Sequence, residues 1–428
     1  MQKTSQSSQV SIAYVTAGNP LCRSGVPTWR LFPLTLSLLV TPAIEVIYST
    51  ELIEIQIGGL LSPFQVIRGL FLLAMFLALP GNRLAVLTQK NMLLPLVLLA
   101  SYALITSGFQ QYPLNNIVQG FYFLYIYVTF ISALEFSRRG WLSQMWFQTI
   151  PWVFLGLVVC SQVLGILIGM AGPGSYALAA SGIAGRANSI GVFAVSILPW
   201  FFMLTAQEMK HIWGAFVAFG VAVACMRRSA FITVFFSLIV LVVYYVFHCR
   251  NIRQKVTLIA ATIGVCVGLL LVASQLPIGE AFITRLEDLN IQDGGTASGR
   301  TEFMVVALNH LWSRGIVDSI FGEGTGAIAD IIEAGWGRRI GAHNGWLDIT
   351  AAFGVIGLFL LTWFQINVLW LVMSSRGAHR TAAFGAAMVV CIGGLIMDGI
   401  YSPTFAPIYI ILGCLASAGL TQNYVAHR

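Results

Sequence analysis

Charge is the scarcest commodity in this sequence. Of 428 residues only 9% are Asp, Glu, Lys or Arg, against about one quarter in a soluble globular domain, so a water-soluble fold is excluded. A dense basic patch is also missing. The formal net charge is +7, but the cations are dispersed between apolar runs and have the pattern of topology signals, not of a nucleic-acid interface. The seven cysteines (Cys22, Cys160, Cys225, Cys249, Cys266, Cys391 and Cys414) form no C-x-x-C. They mostly lie in or beside apolar stretches, which supports neither a zinc site nor a disulfide framework. They read as small core residues. No D-x-D occurs either, which removes the commonest route to a metal-held nucleotide sugar, and neither a metal nor a cofactor is expected.

What is present is hydrocarbon: 57% of residues are hydrophobic and the mean hydropathy is +0.83. The expected fold class is all-α, a polytopic membrane protein of about twelve transmembrane helices with one large periplasmic loop containing short helices. The runs are Leu31–Tyr48, Phe64–Leu79, Asn91–Phe109, Ile117–Leu134, Thr149–Met170, Gly191–Thr205, Ile212–Cys225, Ser229–Phe247, Val256–Ser274, Ala352–Met373, Ala382–Tyr401 and Pro407–Leu420. They divide the chain into a cytoplasmic tail (1–30), nine helices (31–274), a polar loop (275–345), three helices (346–421) and a second cytoplasmic tail (422–428). The first thirty residues are polar and expected to be disordered. The apolar run after them lacks a small-residue cleavage site, so it reads as an uncleaved first helix.

With both termini in the cytoplasm, fourteen Lys and Arg fall inside and nine outside, in the direction of the positive-inside rule. Most of the outside cations lie in the long loop, which that rule counts weakly. Of the acids, only Glu135 and Glu208 fall inside. The loop is therefore expected to be periplasmic, in a bacterial inner membrane.

The loop is where chemistry can sit, because water, fixed charge and a polar substrate can meet there. Ser298 is placed to cap a helix from about Gly299 to Ser313, whose apolar positions Phe303, Val306, Ala307, His310 and Leu311 recur at helical spacing and are expected to lie on the membrane surface. Arg300 then falls in the first turn, where the helix dipole disfavours a cation unless an anion is held with it. Further on, the loop carries Glu323, the pair Arg338-Arg339, and Ala342-His343-Asn344-Gly345-Trp346-Leu347-Asp348. Phe353-Gly354-Val355-Ile356-Gly357-Leu358 follows at the head of the next apolar run, its two glycines read as small residues that let helices approach.

The His343 to Gly357 pattern resembles the signature of the O-antigen ligase and polymerase superfamily. Ser298-Gly299-Arg300-Thr301-Glu302 and Phe321-Gly322-Glu323-Gly324 resemble that family's arginine-bearing helix and the glycine turn after it. Gly185-Arg186-Ala187-Asn188 and Arg228-Ser229-Ala230 fall where the family carries helix-mouth arginine and asparagine. The phrasing is closer to the polymerases than to the lipid A core ligases, and it departs from the family at Phe303-Met304. The resemblance implies transfer of a glycan from an undecaprenyl-pyrophosphate carrier to an acceptor sugar hydroxyl. It implies His343 as base with Asn344 orienting it or capping the next helix, and Arg228 and Arg300, with Arg186, Arg338 and Arg339, as pyrophosphate ligands. Asp348, Glu302 and Glu323 are candidates for second-sphere or sugar contact. The implied partners are the lipid-linked donor, a glycan or lipid A core acceptor, membrane lipids and other polysaccharide assembly proteins. A transporter or flippase is the rival reading, as twelve helices would suit one. Against it, the intramembrane acids Glu45 and Asp398 sit near helix ends and no internal repeat is visible.

Overall fold

A computed structural model describes residues 28–48, 63–79, 94–167, 187–205, 208–224, 252, 256, 300–337, 341–342, 344–374, 377–396, 401 and 405–426. Among these, all regular secondary structure is helical. The elements are α1 (Phe32–Tyr48), α2 (Pro63–Ala78), α3 (Leu94–Thr106), α4 (Pro113–Arg138), α5 (Gln144–Leu167), α6 (Ala187–Thr205), α7 (Ile212–Ala224), α8 (Arg300–Ser313), α9 (Ile316–Phe321), α10 (Ala327–Trp336), α11 (Gly345–Ser374), α12 (Gly377–Ile396) and α13 (Ala406–Ala426). Ten of the twelve apolar runs coincide with a helix here; 229–247 and, apart from Val256, 256–274 lie outside the described residues. Among the described residues three helices, Pro113–Arg138, Gln144–Val163 and Gly345–Met373, are long and apolar enough to cross a membrane.

α4 is the central post. It packs on α13, α3 and α2, and its buried residues run almost without a break from Tyr125 to Ser137. A helix apolar all round has no solvated face to offer, so it is enclosed by neighbours. Its start is set by Pro113, whose fixed φ suits the first helical position. Its end is a Schellman turn: Gly140, at φ 68°, donates to the Ser137 carbonyl at 3.0 Å, and Trp141 N–H to that of Phe136 at 2.9 Å. The accompanying contact is Trp141 on Phe136, with ring centroids 5.2 Å apart. Internal Pro42, Pro151 and Pro199 in α1, α5 and α6 are tolerated as in other apolar bundles, where neighbouring groups satisfy the freed carbonyls.

Residues 300–337 of the polar loop are largely helical. α8 begins at Arg300, near the expected start, with the Ser298 cap outside the described residues, and the face expected on the membrane surface packs on protein instead. Phe303 and Ala307 are buried in a small second core with Ile328, Ile332, Ala342 and Ala351. Closing a core inside the loop removes the area of Phe303 and Ala307 from water without needing lipid.

Candidate functional site

The local design begins with a break. Within α11 Gly354 takes φ 64°, ψ −161°, a conformation open to glycine and strained for other residues. A Cβ there would run into the Ile320 carbonyl, and one on Gly322, at φ 81°, into that of Ala352. Two glycines thus let the end of α9 lie directly on the bend. The expectation for Gly354 was close approach between helices; the approach is real, but the positive φ is the stronger demand. The bend folds the short arm of α11 back on the long one. A Cβ on Gly394 would meet Trp346 Nε1 at 3.4 Å and Gln365 Nε2 at 3.5 Å, although a straight helix would hold positions 346 and 365 about 28 Å apart.

Breaking a helix frees carbonyls, and those of Thr350, Ala351 and Ala352 have donors here. Glu323 N–H donates to the Ala351 carbonyl at 2.9 Å and Gly324 N–H to that of Ala352 at 3.1 Å. Arg314 reaches the Thr350 and Ala351 carbonyls at 3.2 and 3.4 Å. Burial draws the Arg314 pKa below its ordinary value, with Glu323 and Asp318 opposing the shift, and at neutral pH it is still a cation. From the α3–α4 turn, the Gln110 amide donates to the carbonyls of Phe321 (2.9 Å), Gly322 (2.9 Å) and Ala352 (3.2 Å). Asn116, fully buried, donates to Gln110 Oε1 at 2.6 Å and accepts from Thr325 N–H at 2.7 Å. Tyr102 donates to the Phe321 carbonyl at 3.0 Å, and Tyr112 to Asp330. The sequence analysis does not single out Tyr102, Gln110, Tyr112 or Asn116. The available signal was the polar run Gln110-Gln111-Tyr112-Pro113-Leu114-Asn115-Asn116 between two apolar stretches.

The described sequence neighbours of His343, Ala342 and Asn344, both make hydrogen bonds to the start of α11. Asn344 caps α11, its Oδ1 accepting from Trp346 and Leu347 N–H at 3.0 and 3.1 Å. Asp348 Oδ1 accepts from Ala342 N–H at 3.2 Å. Gly341 and Gly345, which bracket His343 in sequence, both line a cavity of about 200 Å³. Its other walls include Gly324, Thr325 and Gly326 at the start of α10, with Asp348, Gln119 and Tyr401. Thr325 Oγ1, out of water, has no protein partner.

Of the residues predicted to act, Asn344 and Asp348 stand at this cavity or its edge. Asn344 proves to be the helix cap, one of its two expected roles. Glu323 accepts from His310 Nε2 at 2.8 Å, which brings in a histidine otherwise assigned to the apolar face of α8. Glu302 lies in the first turn of α8 and its Oε2 is buried without a partner. Arg300 is the first residue of that helix. His343, Arg186, Arg228, Arg338 and Arg339 lie outside the described residues. Among the described residues no three His, Cys, Asp or Glu side chains converge as metal ligands. No protein-family model and no curated protein matches this chain.

Proposed function

We propose that this chain is a membrane glycosyltransferase that takes a glycan from an undecaprenyl-pyrophosphate carrier and joins it to a sugar hydroxyl at the periplasmic face. The most consistent form is polymerisation of O-antigen or exopolysaccharide repeat units; ligation to lipid A core is the variant differing in acceptor. The observation that carries this reading is the cavity lined by Gly341, Gly345 and Asp348, with Ala342 and Asn344, the sequence neighbours of His343, tied down. The topology has its own support. Segments that the charge census puts outside, the 107–112 and 322–326 turns, Gly341, Gly345 and Tyr401, gather at one end of the bundle. The inside cations Arg30, Arg138 and Arg139 gather at the other.

In the reaction the acceptor hydroxyl oxygen attacks the anomeric carbon and the bond from that carbon to the pyrophosphate oxygen breaks. His343 takes the hydroxyl proton, for which a neutral imidazole is suited near pH 7. The pyrophosphate leaves with the bonding electron pair, its charge held by Arg300 and Arg228, with Arg186, Arg338 and Arg339 in support. Pyrophosphate is already a good leaving group, so these residue types suffice.

A transporter has one feature in its favour, the broken α11, since interrupted helices expose carbonyls that bind ions in such proteins. Here the Thr350, Ala351 and Ala352 carbonyls are taken by Arg314, Gln110, Glu323 and Gly324. The break is spent on holding the loop.

His343→Ala is expected to reach the membrane at normal level while glycan transfer falls about 100 to 10,000-fold. Arg300→Lys should also be impaired, because the ammonium loses the bidentate fork. Polymer at wild-type level in both variants sinks the assignment. In a deletion strain, loss of long chains with short capped glycans persisting indicates a polymerase, whereas long chains stranded on the carrier indicate a ligase.

A further inference from the structure

At the end of α4 away from the cavity, Arg30 closes a turn that precedes α1. Its guanidinium carbon lies 5.4 Å from the centre of the Trp29 ring and 5.5 Å from that of Trp141, and that of Arg139 lies 5.8 Å from Trp141. Indole faces attract a guanidinium, yet they leave its edge donors unused. Among the described residues Arg30 has no hydrogen-bond partner, and its Nε is out of water. A buried N–H of a charged group without an acceptor costs free energy, so an acceptor is expected.

The protein offers little to fill that role. Arg138 and Arg139 share one carboxylate, Glu135, at 3.7 and 3.4 Å, with Glu135 only 2% exposed. Among the described residues, three cations therefore face one anion. The remaining acid placed on this side by the charge census, Glu208, is held by Lys210 at 2.5 Å. Residues 1–27 contain no Asp or Glu at all. Beside the cluster, Trp29, Phe32 and Met145 are 54%, 63% and 75% exposed. A ligand that satisfies both features is anionic at one end and hydrocarbon at the other.

We propose that Arg30, Arg138, Arg139, Trp29 and Trp141 form a binding site for the headgroup of an anionic phospholipid. Its phosphate oxygens accept from the Arg30 edge and from the two α4 arginines, and its chains cover Phe32 and Met145. A zwitterionic headgroup is disfavoured, because its own cation competes for the phosphate and adds positive charge to a cluster already in excess. This inference rests on reading the chain as membrane-spanning, not on glycan transfer.

The test is native mass spectrometry of the full-length protein in detergent, titrated with phosphatidylglycerol, phosphatidylcholine or glycerol phosphate. Wild type should retain phosphatidylglycerol at least about tenfold more tightly than phosphatidylcholine, and Arg30→Gln should erase that preference. Arg30→Lys should keep part of it, and the exposed-cation control Lys210→Gln all of it. Should Arg30→Gln fail to give monodisperse protein, Arg30→Lys with undiminished selectivity overturns the site by itself. Equal retention of the two lipids, unchanged selectivity in Arg30→Gln, a loss in Lys210→Gln as large as in Arg30→Gln, or equal occupancy by glycerol phosphate would each overturn the lipid site. Release of the protein from membranes by alkaline carbonate would instead remove the membrane reading itself.

Discussion

The two ends of α4, about 39 Å apart along the helix, are held by opposite means. At the Pro113 end the turn is held through neutral amides, Gln110 and Asn116 meeting carbonyls and amides from a segment two hundred residues away, while Thr325 Oγ1 and Arg314 Nε beside them lack a partner. At the Arg138 end the groups are charged and aromatic, and the hydrogen bonds are incomplete, with Arg30 unpartnered and Glu135 divided between two arginines. Saturated amide networks fix geometry, because each lost bond strands a buried group. Unsaturated charge is capacity for a ligand. The first end therefore suits a site that must hold a turn still, and the second suits contact with an anionic surface.

The sharpest way to break this contrast is at the bend. Gly354→Ala and Gly322→Ala each force a Cβ into a carbonyl at a positive φ, and should cost at least about 2 kcal/mol. The melting temperature in detergent and the yield of monodisperse protein should drop sharply. Gly156 in α5, whose added Cβ meets nothing, gives the control: Gly156→Ala should be neutral or slightly stabilising. Equal effects at all three positions would mean that the bend is not under special constraint.

A smaller effect is expected one layer out. Gln110→Ala strands a set of carbonyls and the Asn116 amide, for a loss of about 1–3 kcal/mol. Gln110→Glu, similar in size but without the N–H donors, should be no better. Melting curves of the two variants decide this, and a mild Gln110→Glu would show that shape, not donation, matters at that end.

The smallest effect belongs to the charged end. His211 Nδ1 accepts from Trp152 Nε1 at 3.0 Å, and burial, then Lys210, hold its pKa below the ordinary value of 6.5. The unfolded chain thus binds the proton more readily. The stability gained is complete above about 6.5 and fades as pH falls through the lower folded value. Melting temperature should decline from pH 7 to pH 5, and the decline should shrink in His211→Gln, which keeps an acceptor for Trp152. An identical pH profile in the variant would remove His211 as the cause.

Hydrophobic patterning alone places α1–α7 and α11–α13, because a helix surrounded by apolar neighbours must be apolar along its length, and that is a local property. The start of α8 at Arg300 and the capping role open to Asn344 are local as well, since a cap involves residues two or three apart. The bend at Gly354 is different: its requirement comes from Ile320 and Gly322, which approach only in the folded chain. The same holds for Gln110 and Asn116, whose partners lie some two hundred positions later. Phe303 and Ala307 show the limit most plainly. Their spacing states that one face of α8 must be buried, but whether lipid or protein buries it depends on where α10 and the short arm of α11 come to rest, and only the tertiary structure decides that.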